Sequence, residues 1–545
     1  MTRVPPLRAA LTLLLALATS LAVAQTATGQ ADARTFKAHV AFLADDLLEG
    51  RETGTRGFDL AAHYVATQFA QHGVLPKGDP DGYLQTLPLK TGRLVPESPV
   101  FEIRRKGGVE ALTYLNDFAM GPVLSADQTD ITAPLIFVGY GITAPHFKHD
   151  DYAGLDVKGK IVVLLGDRPA GWPTEEGAHY NNRRLKAELA ARHGAVGMVY
   201  LQTPRGERVS PFAQVRLYSN SLAMDWVTPD GRGAHESPGL QGGAYLSMAA
   251  AAKLFSEVSV KLDTIYAAAE ADTPLPHMDL QLSAHLAVKT TRNTLSSANV
   301  VGMIEGSDAQ LKNEYVVFTA HLDHLGLRQG MMADNLHNGA MDNATGVAAL
   351  LEMARLVGQM STKPKRSMLF IALTGEEKGL LGSDYFAANP TVPLSSMVAC
   401  VNLDMPILTY NFSSVVAFGA EHSSLKQATA KAAATLNLAL VPDPWPEQGI
   451  FTRSDHYSFV RQGVPSIYIT PGHSSFNSDE DGAQIAQAFL RQNYHKPSDD
   501  MKQPFNWAAA ARFAQLNYLL GVEIANDPKR ASWNRGDFFG DLFRT

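Results

Sequence analysis

Five short apolar runs in the second half of the chain are rich in β-branched and aromatic residues and bounded by loops: Val300 to Ile304, Tyr315 to Phe318, Met368 to Leu373, Met397 to Val401 and Ser466 to Ile469. Runs this short and this continuously apolar suit strands buried on both faces. Between them lie stretches of helical period. The clearest begins after Asp342 and sets Val347, Leu350, Leu351, Ala354 and Val357 on one stripe. A long apolar-faced helix is expected over Trp507 to Ala525. This alternation predicts an α/β fold, with a mostly parallel sheet sandwiched by helices.

Ligands of such sheets gather beyond the carboxyl ends of the strands. His321 follows the Tyr315 strand, Glu376 and Glu377 follow the Met368 strand, and Asp404 follows the Met397 strand. Asp342 precedes a helix and His495 lies in a loop before the last helix, so both can reach the same edge. Taken singly, each residue is an ordinary surface group, but imidazoles and carboxylates meeting at one edge are the donor set of a catalytic metal site. Two cations about 3.5–4 Å apart repel each other, and a shared carboxylate screens them. Three ligating carboxylates and one hydroxide would neutralise two dications. Asp323, two residues after His321, is not needed in that sum and is expected to accept the imidazole N–H with its carboxylate. Neighbouring side chains diverge, so one of Glu376 and Glu377 can ligate while the other faces substrate; Glu376 is the candidate general base.

The rest of the chain bounds the problem. At 545 residues and 45% hydrophobic it is long enough for two or three domains, and a net charge of -7 gives no reason to expect nucleic acid as a partner. Arg3 and Arg8 precede an apolar run from Ala9 to Leu21, followed by Ala22-Val23-Ala24. Residues 1–24 therefore read as a cleavable signal peptide, which implies a periplasmic or secreted protein with no membrane attachment after cleavage. A membrane anchor is disfavoured because Thr12, Thr19 and Ser20 interrupt a run already short of the ~20 residues a span needs. The lone cysteine, Cys400, precludes an intramolecular disulfide. Residues 31–120 read as helices followed by extended segments, with Phe36, Val40, Leu43 and Leu47 at helical spacing. The glycine-spaced Gly50 to Gly57 segment is read as an interhelical loop without a ligand. Residues 121–289 change to short strands, with a helix over Arg183 to His193 and a Pro/Gly-rich stretch from Thr203 to Gly243, and read as an inserted domain. His179 and His193 within it have no metal-ligand spacing.

The motifs Thr319-Ala320-His321-Leu322-Asp323-His324, Gly339-Ala340-Met341-Asp342-Asn343, Gly375-Glu376-Glu377-Lys378-Gly379-Leu380, Asn402-Leu403-Asp404-Met405 and Tyr494-His495-Lys496-Pro497 resemble the dizinc exopeptidase family that includes aminopeptidase Y, bacterial leucyl aminopeptidase and the glutamate carboxypeptidases. The resemblance implies a zinc peptidase domain in two parts, 31–120 and 290–545, with a β-rich protease-associated (PA) domain inserted at 121–289. It implies two Zn2+ ions: Asp342 bridges them, Glu377 and His495 complete one site, and His321 and Asp404 complete the other. Glu376 becomes the general base, and Asp323 the partner of His321. Tyr494 is a candidate to hold the oxyanion, as in the carboxypeptidase branch, with aromatic packing as its other role. Ser454-Asp455-His456 also matches a family segment, in which His456 has no metal role. Met341 departs from the pattern, standing where an acidic residue often precedes the bridging Asp. The activity implied is removal of N-terminal residues from peptides. A carboxypeptidase or dipeptidase of the same family is the alternative, and a non-catalytic receptor-like scaffold is disfavoured because no ligand is lost. Oligomeric state is left open.

Overall fold

Strands form where the doubly buried apolar runs lie, and their pairing sets the architecture. The computed structural model describes residues 29–544 apart from Asp81 and residues 329–333. The expected signal peptide lies outside the described residues. The chain divides into two compact units, one made of residues up to Thr86 with Ser297–Asp443 and Ser454–Thr545, the other of Leu87–Ser296 with Pro444–Arg453.

The strands of the first unit are β1 (Leu75–Pro76), the last part of β2 (Met278–Ile304), β3 (Tyr315–His321), β4 (Ser367–Leu373), β5 (Met397–Asn402), β6 (Ser414–Phe418), β7 (Ala439–Val441) and β8 (Ser466–Pro471). Their order across the sheet is β1-β2-β4-β3-β5-β8-β6-β7. β4, β3, β5 and β8 run parallel, while β2 and β6 pair antiparallel at either side of that block. Expected as an α/β sandwich, the unit is one. β6 and β7 were not among the expected strands; β7 is only three residues long, too short to carry a periodic signal.

Helices α1 (Ala33–Leu43), α2 (Arg56–Gln71), α3 (Thr345–Gln359), α4 (Leu381–Ala388), α5 (Leu425–Thr435), α6 (His456–Val460), α7 (Gly482–Gln492) and α8 (Trp507–Asn526) cover the two faces. The side-chain period of two sorts each strand between two cores. Val316, Phe318, Ala320, Met368, Phe370 and Ala372 join Leu350 of α3 and Phe513 of α8. Val317, Leu369, Ile371 and Leu373 join Phe386 of α4 and Phe459 of α6. Each such large apolar side chain, fully buried, contributes roughly 1.5–3 kcal/mol. The predicted α3 stripe is buried throughout. Leu47, expected to continue the first helix, falls instead in a short 3₁₀ segment, Asp46–Arg51, and is 82% exposed.

In the second unit, strands Gln128–Phe137, Ile161–Leu165, Gly197–Leu201 and Gly243–Leu246 run parallel. Helix Arg183–Arg192 packs Leu189 and Ala190 against Val162, Leu164 and Tyr200. Strand Val100–Arg105 pairs with Ser283–Ala287. This compact unit begins at Leu87, and hydrogen-bonded ladders tie strands before residue 121 to it. Pro444–Arg453 also joins it, through packing of Ile450–Thr452 on helix Thr174–Tyr180. The Pro/Gly-rich stretch holds two short helices, Pro204–Val209 and Phe212–Tyr218, and strand Ala223–Trp226.

Candidate metal centre

The carboxyl ends of the parallel strands deliver three of the motifs directly. His321 is the last residue of β3, Glu376 and Glu377 stand in the turn after β4, and Asp404 follows β5 by two residues. Asp342 occupies an irregular turn, Ala340–Ala344, that leads into α3. Gly339 opens this turn with φ 61°, a left-handed conformation that favours glycine; a Cβ there would come within 2.2 Å of the Asp342 carbonyl oxygen and 2.6 Å of the His324 ring. The carboxylate of buried Asp499 accepts from the backbone N–H groups of Met341 (2.8 Å) and Asp342 (3.0 Å). Asn343 ties the same turn to the Asp404 loop: its Nδ2 donates to Leu403 O at 2.9 Å, and its Oδ1 accepts from Met405 N at 3.0 Å. The Asp342–Asn343 peptide bond is cis.

The carboxylate of Asp342 is divided between two donor groups. Its Oδ1 lies 3.3 Å from His321 Nε2, which is 3.0 Å from Asp404 Oδ1. Its Oδ2 lies 3.3 Å from His495 Nε2, which is 3.2 Å from Glu377 Oε2. Burial disfavours both imidazolium ions, yet the carboxylates around them hold His321 and His495 well above the ordinary histidine range. Burial, reinforced by the Asp404, Glu377 and Asp455 carboxylates, pushes Glu376 well above the usual carboxylate range, against the pull of His321. Nitrogen and carboxylate oxygen donors converging from several loops fit a divalent cation of the zinc type. Glu377 Oε1 and both ring nitrogens of His324 are buried without a hydrogen bond of regular geometry among the described residues, as metal-ligand atoms would be.

The supporting contacts differ from expectation in two places. His321 Nδ1 meets the Asp323 backbone carbonyl, at 3.1 Å, rather than its carboxylate. A carbonyl only accepts, so Nδ1 carries a proton and Nε2 is the nitrogen that faces the site, able to ligate once a cation displaces its proton. The Asp323 carboxylate turns instead toward the next loop: Oδ1 accepts from Glu376 N at 3.1 Å, and Oδ2 accepts from Glu377 N at 3.3 Å and from Thr53 Oγ1 at 3.1 Å. It fixes the pair of glutamates, not the histidine.

Second, the Gly50 to Gly57 segment is more than an interhelical loop. Arg51 within it is buried, with 1% exposure, and its guanidinium donates to the backbone carbonyls of Leu43, Leu322 (2.9 Å), Asn338 (2.6 Å) and Gly339 (3.1 Å). One side chain thereby joins the loops that carry His321 and Asp342. Burial brings its pKa down to about 10, although Asp323, Asp499, Asp342 and Glu377 all favour the cation. Lys378 Nζ forms a second link, donating to Glu52 Oε1 at 2.6 Å.

Asp404 is held by a relay. Thr319 Oγ1 donates to Asn402 Oδ1 (2.6 Å), Asn402 Nδ2 to Ser454 Oγ (2.6 Å), and Ser454 Oγ to Asp404 Oδ2. The Tyr494 ring stacks on His495, with centroids 3.8 Å apart. His456 is buried, its ring 5.7 Å from that of Tyr468, whose hydroxyl donates to the Asp404 backbone carbonyl at 2.9 Å. His193 of the second unit stacks on Tyr152 at 4.3 Å, and His179 packs against Tyr180. His324 was quoted in a motif without a role; three residues beyond His321 at a strand end, it is carried back to the site by the turn. Its spacing was the signal for it.

The sequence model described as Peptidase family M28 matches residues 299–520, the span that supplies the site residues from His321 to His495. That span resembles peptidase family M28. The chain is 26% identical over 268 residues to a probable leucine aminopeptidase 2 of Aspergillus oryzae, covering 46% of this chain and 50% of the relative. It is 43% identical over 67 residues to a probable zinc metalloprotease of Pyrenophora tritici-repentis, covering 12% and 15%. The matches thus span half or less of those relatives' own lengths. In structure it resembles an aminopeptidase from Aneurinibacillus sp. strain AM-1, with a TM-score of 0.53, 19% identity, and coverage of 93% of this chain and 96% of the other. That likeness is one of fold.

Proposed function

We propose that the protein is an exported zinc-dependent aminopeptidase that hydrolyses N-terminal residues from peptides with two cations. His321, Asp342 and Asp404 would hold one, and Asp342, Glu377 and His495 the other. The observation that carries the reading is the Asp342 carboxylate, with one oxygen turned to each donor group. The relatives named as a leucine aminopeptidase and a zinc metalloprotease support the activity and the metal. Bound zinc would polarise the scissile carbonyl and make water acidic enough to attack at neutral pH.

The chain's own groups supply the rest. Glu376 takes a proton from the attacking water and passes it to the leaving amine. Asp323 holds the backbone of Glu376 and Glu377 so that the two carboxylates keep separate directions. Tyr494, stacked on His495, is the group we assign to the substrate oxyanion. Export rests on residues 1–24, and a protease-associated role is our reading of the inserted domain.

The test is Glu376→Gln. Turnover of aminoacyl-nitroanilides should fall on the order of 10²–10⁴-fold, the usual worth of a general base, while about two zincs per chain remain. Zinc lost together with activity would make Glu376 a ligand. A wild-type protein that binds no zinc and cleaves no substrate would end the enzyme reading.

A further inference from the structure

We propose that His324 is a metal ligand, a second nitrogen donor in the group formed by Asp342, Glu377 and His495. The inference rests on the metal-centre reading above and adds to it a residue outside the five ligands.

The imidazole of His324 is fully buried, at 0% exposure. Its Nδ1 lies 2.8 Å from Glu377 Oε1 and 3.9 Å from Asp342 Oδ2. The three residues bring one ligand atom each to within 4.8 Å of one another. Nδ1 and Oε1 are close enough to form an ion pair, yet neither makes a hydrogen bond of regular geometry among the described residues. A cation between the two atoms would take one lone pair from each. Donors about 2 Å from one ion lie no more than about 4 Å apart, and both distances respect that limit.

The backbone makes room for this ring. A Cβ on Gly339 would stand 2.6 Å from both Cγ and Cδ2 of His324, so the residue before the Asp342 turn must be glycine for the imidazole to lie there. The two donor groups then differ in kind. One has a single nitrogen, from His321, while the other has two, from His324 and His495, together with the Glu377 carboxylate. Imidazole-rich sites prefer zinc and its neighbours to magnesium, calcium or manganese. The group containing His324 should therefore take up zinc or cobalt first.

The experiment is a cobalt(II) titration of the metal-stripped full-length protein, followed by its visible spectrum and by X-ray absorption at the metal edge. Wild type should fill a first site whose absorption signature contains two imidazoles. In His324→Ala that signature should drop to one, and first-site affinity should fall at least 100-fold, with the far-UV spectrum of the stripped protein unchanged. His324→Asn keeps an N–H near Glu377 Oε1 but offers no ring nitrogen. If it restores the affinity and the spectrum, His324 merely positions Glu377 and the inference is overturned. Unchanged binding in His324→Ala also overturns it. Wild type binding no metal would instead remove the reading on which it stands.

Discussion

Lys186 in the second unit and Asp455 in the first are both fully buried, yet their surroundings differ. The Lys186 ammonium donates to Leu165 O (3.2 Å), Asp167 O (2.6 Å) and Asn181 Oδ1 (2.9 Å), which uses all three of its donors. Neither carboxylate oxygen of Asp455 has a hydrogen-bond partner among the described residues; burial, with Asp404 and Asp323 close by and His321 opposing, pushes its pKa up to about 7. The second unit satisfies such a charge and spends it on structure. Around the candidate metal centre, Asp455, Glu377 Oε1 and His324 lack hydrogen bonds of regular geometry among the described residues. Buried polar groups with incomplete hydrogen bonding destabilise a fold, and they are retained where a ligand or a reaction uses them.

That contrast breaks most visibly at Asp342. Replacing it by Ala removes the carboxylate that the two donor groups share, so bound zinc should fall from about two per chain to below one. Activity should fall by more than the roughly 10–100-fold that loss of an outer-sphere partner costs. Metal analysis and nitroanilide hydrolysis read both, with the far-UV spectrum as the control for fold. A variant that keeps its full zinc complement would show that the two groups do not share Asp342, and the charge argument for a bridged pair would fail.

Much of this was legible in the sequence because strand ends announce themselves. His321, Glu376, Glu377 and Asp404 each follow an apolar run whose length and composition mark a buried parallel strand, and Asp342 and His495 were found through their neighbouring helices. Arg51 and Thr53 left no such mark. No strand precedes them, and apart from the Leu43 carbonyl their partners lie more than 250 positions away in the chain, contacts without a local pattern. Asp323 was found but given the wrong atom: spacing puts a carboxylate near His321 and does not say which way a side chain turns at a strand end. His324 failed for a related reason, since a histidine beside a motif reads as part of the turn until its burial is known.

A pH series sharpens the other side of the comparison. Burial brings the Lys186 pKa down to about 7 from its ordinary 10.5, against the pull of Asp167 and Asp151. Below pH 7 both folded and unfolded chains carry the proton, and the cost of the buried charge is present in full. Between about 7 and 10.5 the unfolded chain holds a proton that the folded one lacks, so stability rises with pH and the gain is complete above 10.5. Urea unfolding from pH 6.5 to 10 should show a rise on the order of a few kcal/mol at most, and Lys186→Met should remove it. An identical slope in both proteins would assign the effect to another group.

The smallest expected effect lies in the outer support of the glutamates. Thr53 Oγ1 supplies one of three hydrogen bonds to the Asp323 carboxylate; the other two come from the backbone of Glu376 and Glu377. Thr53→Val keeps the shape and removes one donor, so about 1 kcal/mol of stability should be lost. Zinc content should stay constant, because no ligand is touched. Turnover should fall severalfold with KM unchanged, since a loosened Asp323 lets the Glu376 carboxylate drift from the proton it moves without altering where a peptide binds. If zinc is lost instead, the carboxylate of Asp323 supports the ligand Glu377 more than the base Glu376, and the division of labour between the adjacent glutamates would have to be redrawn.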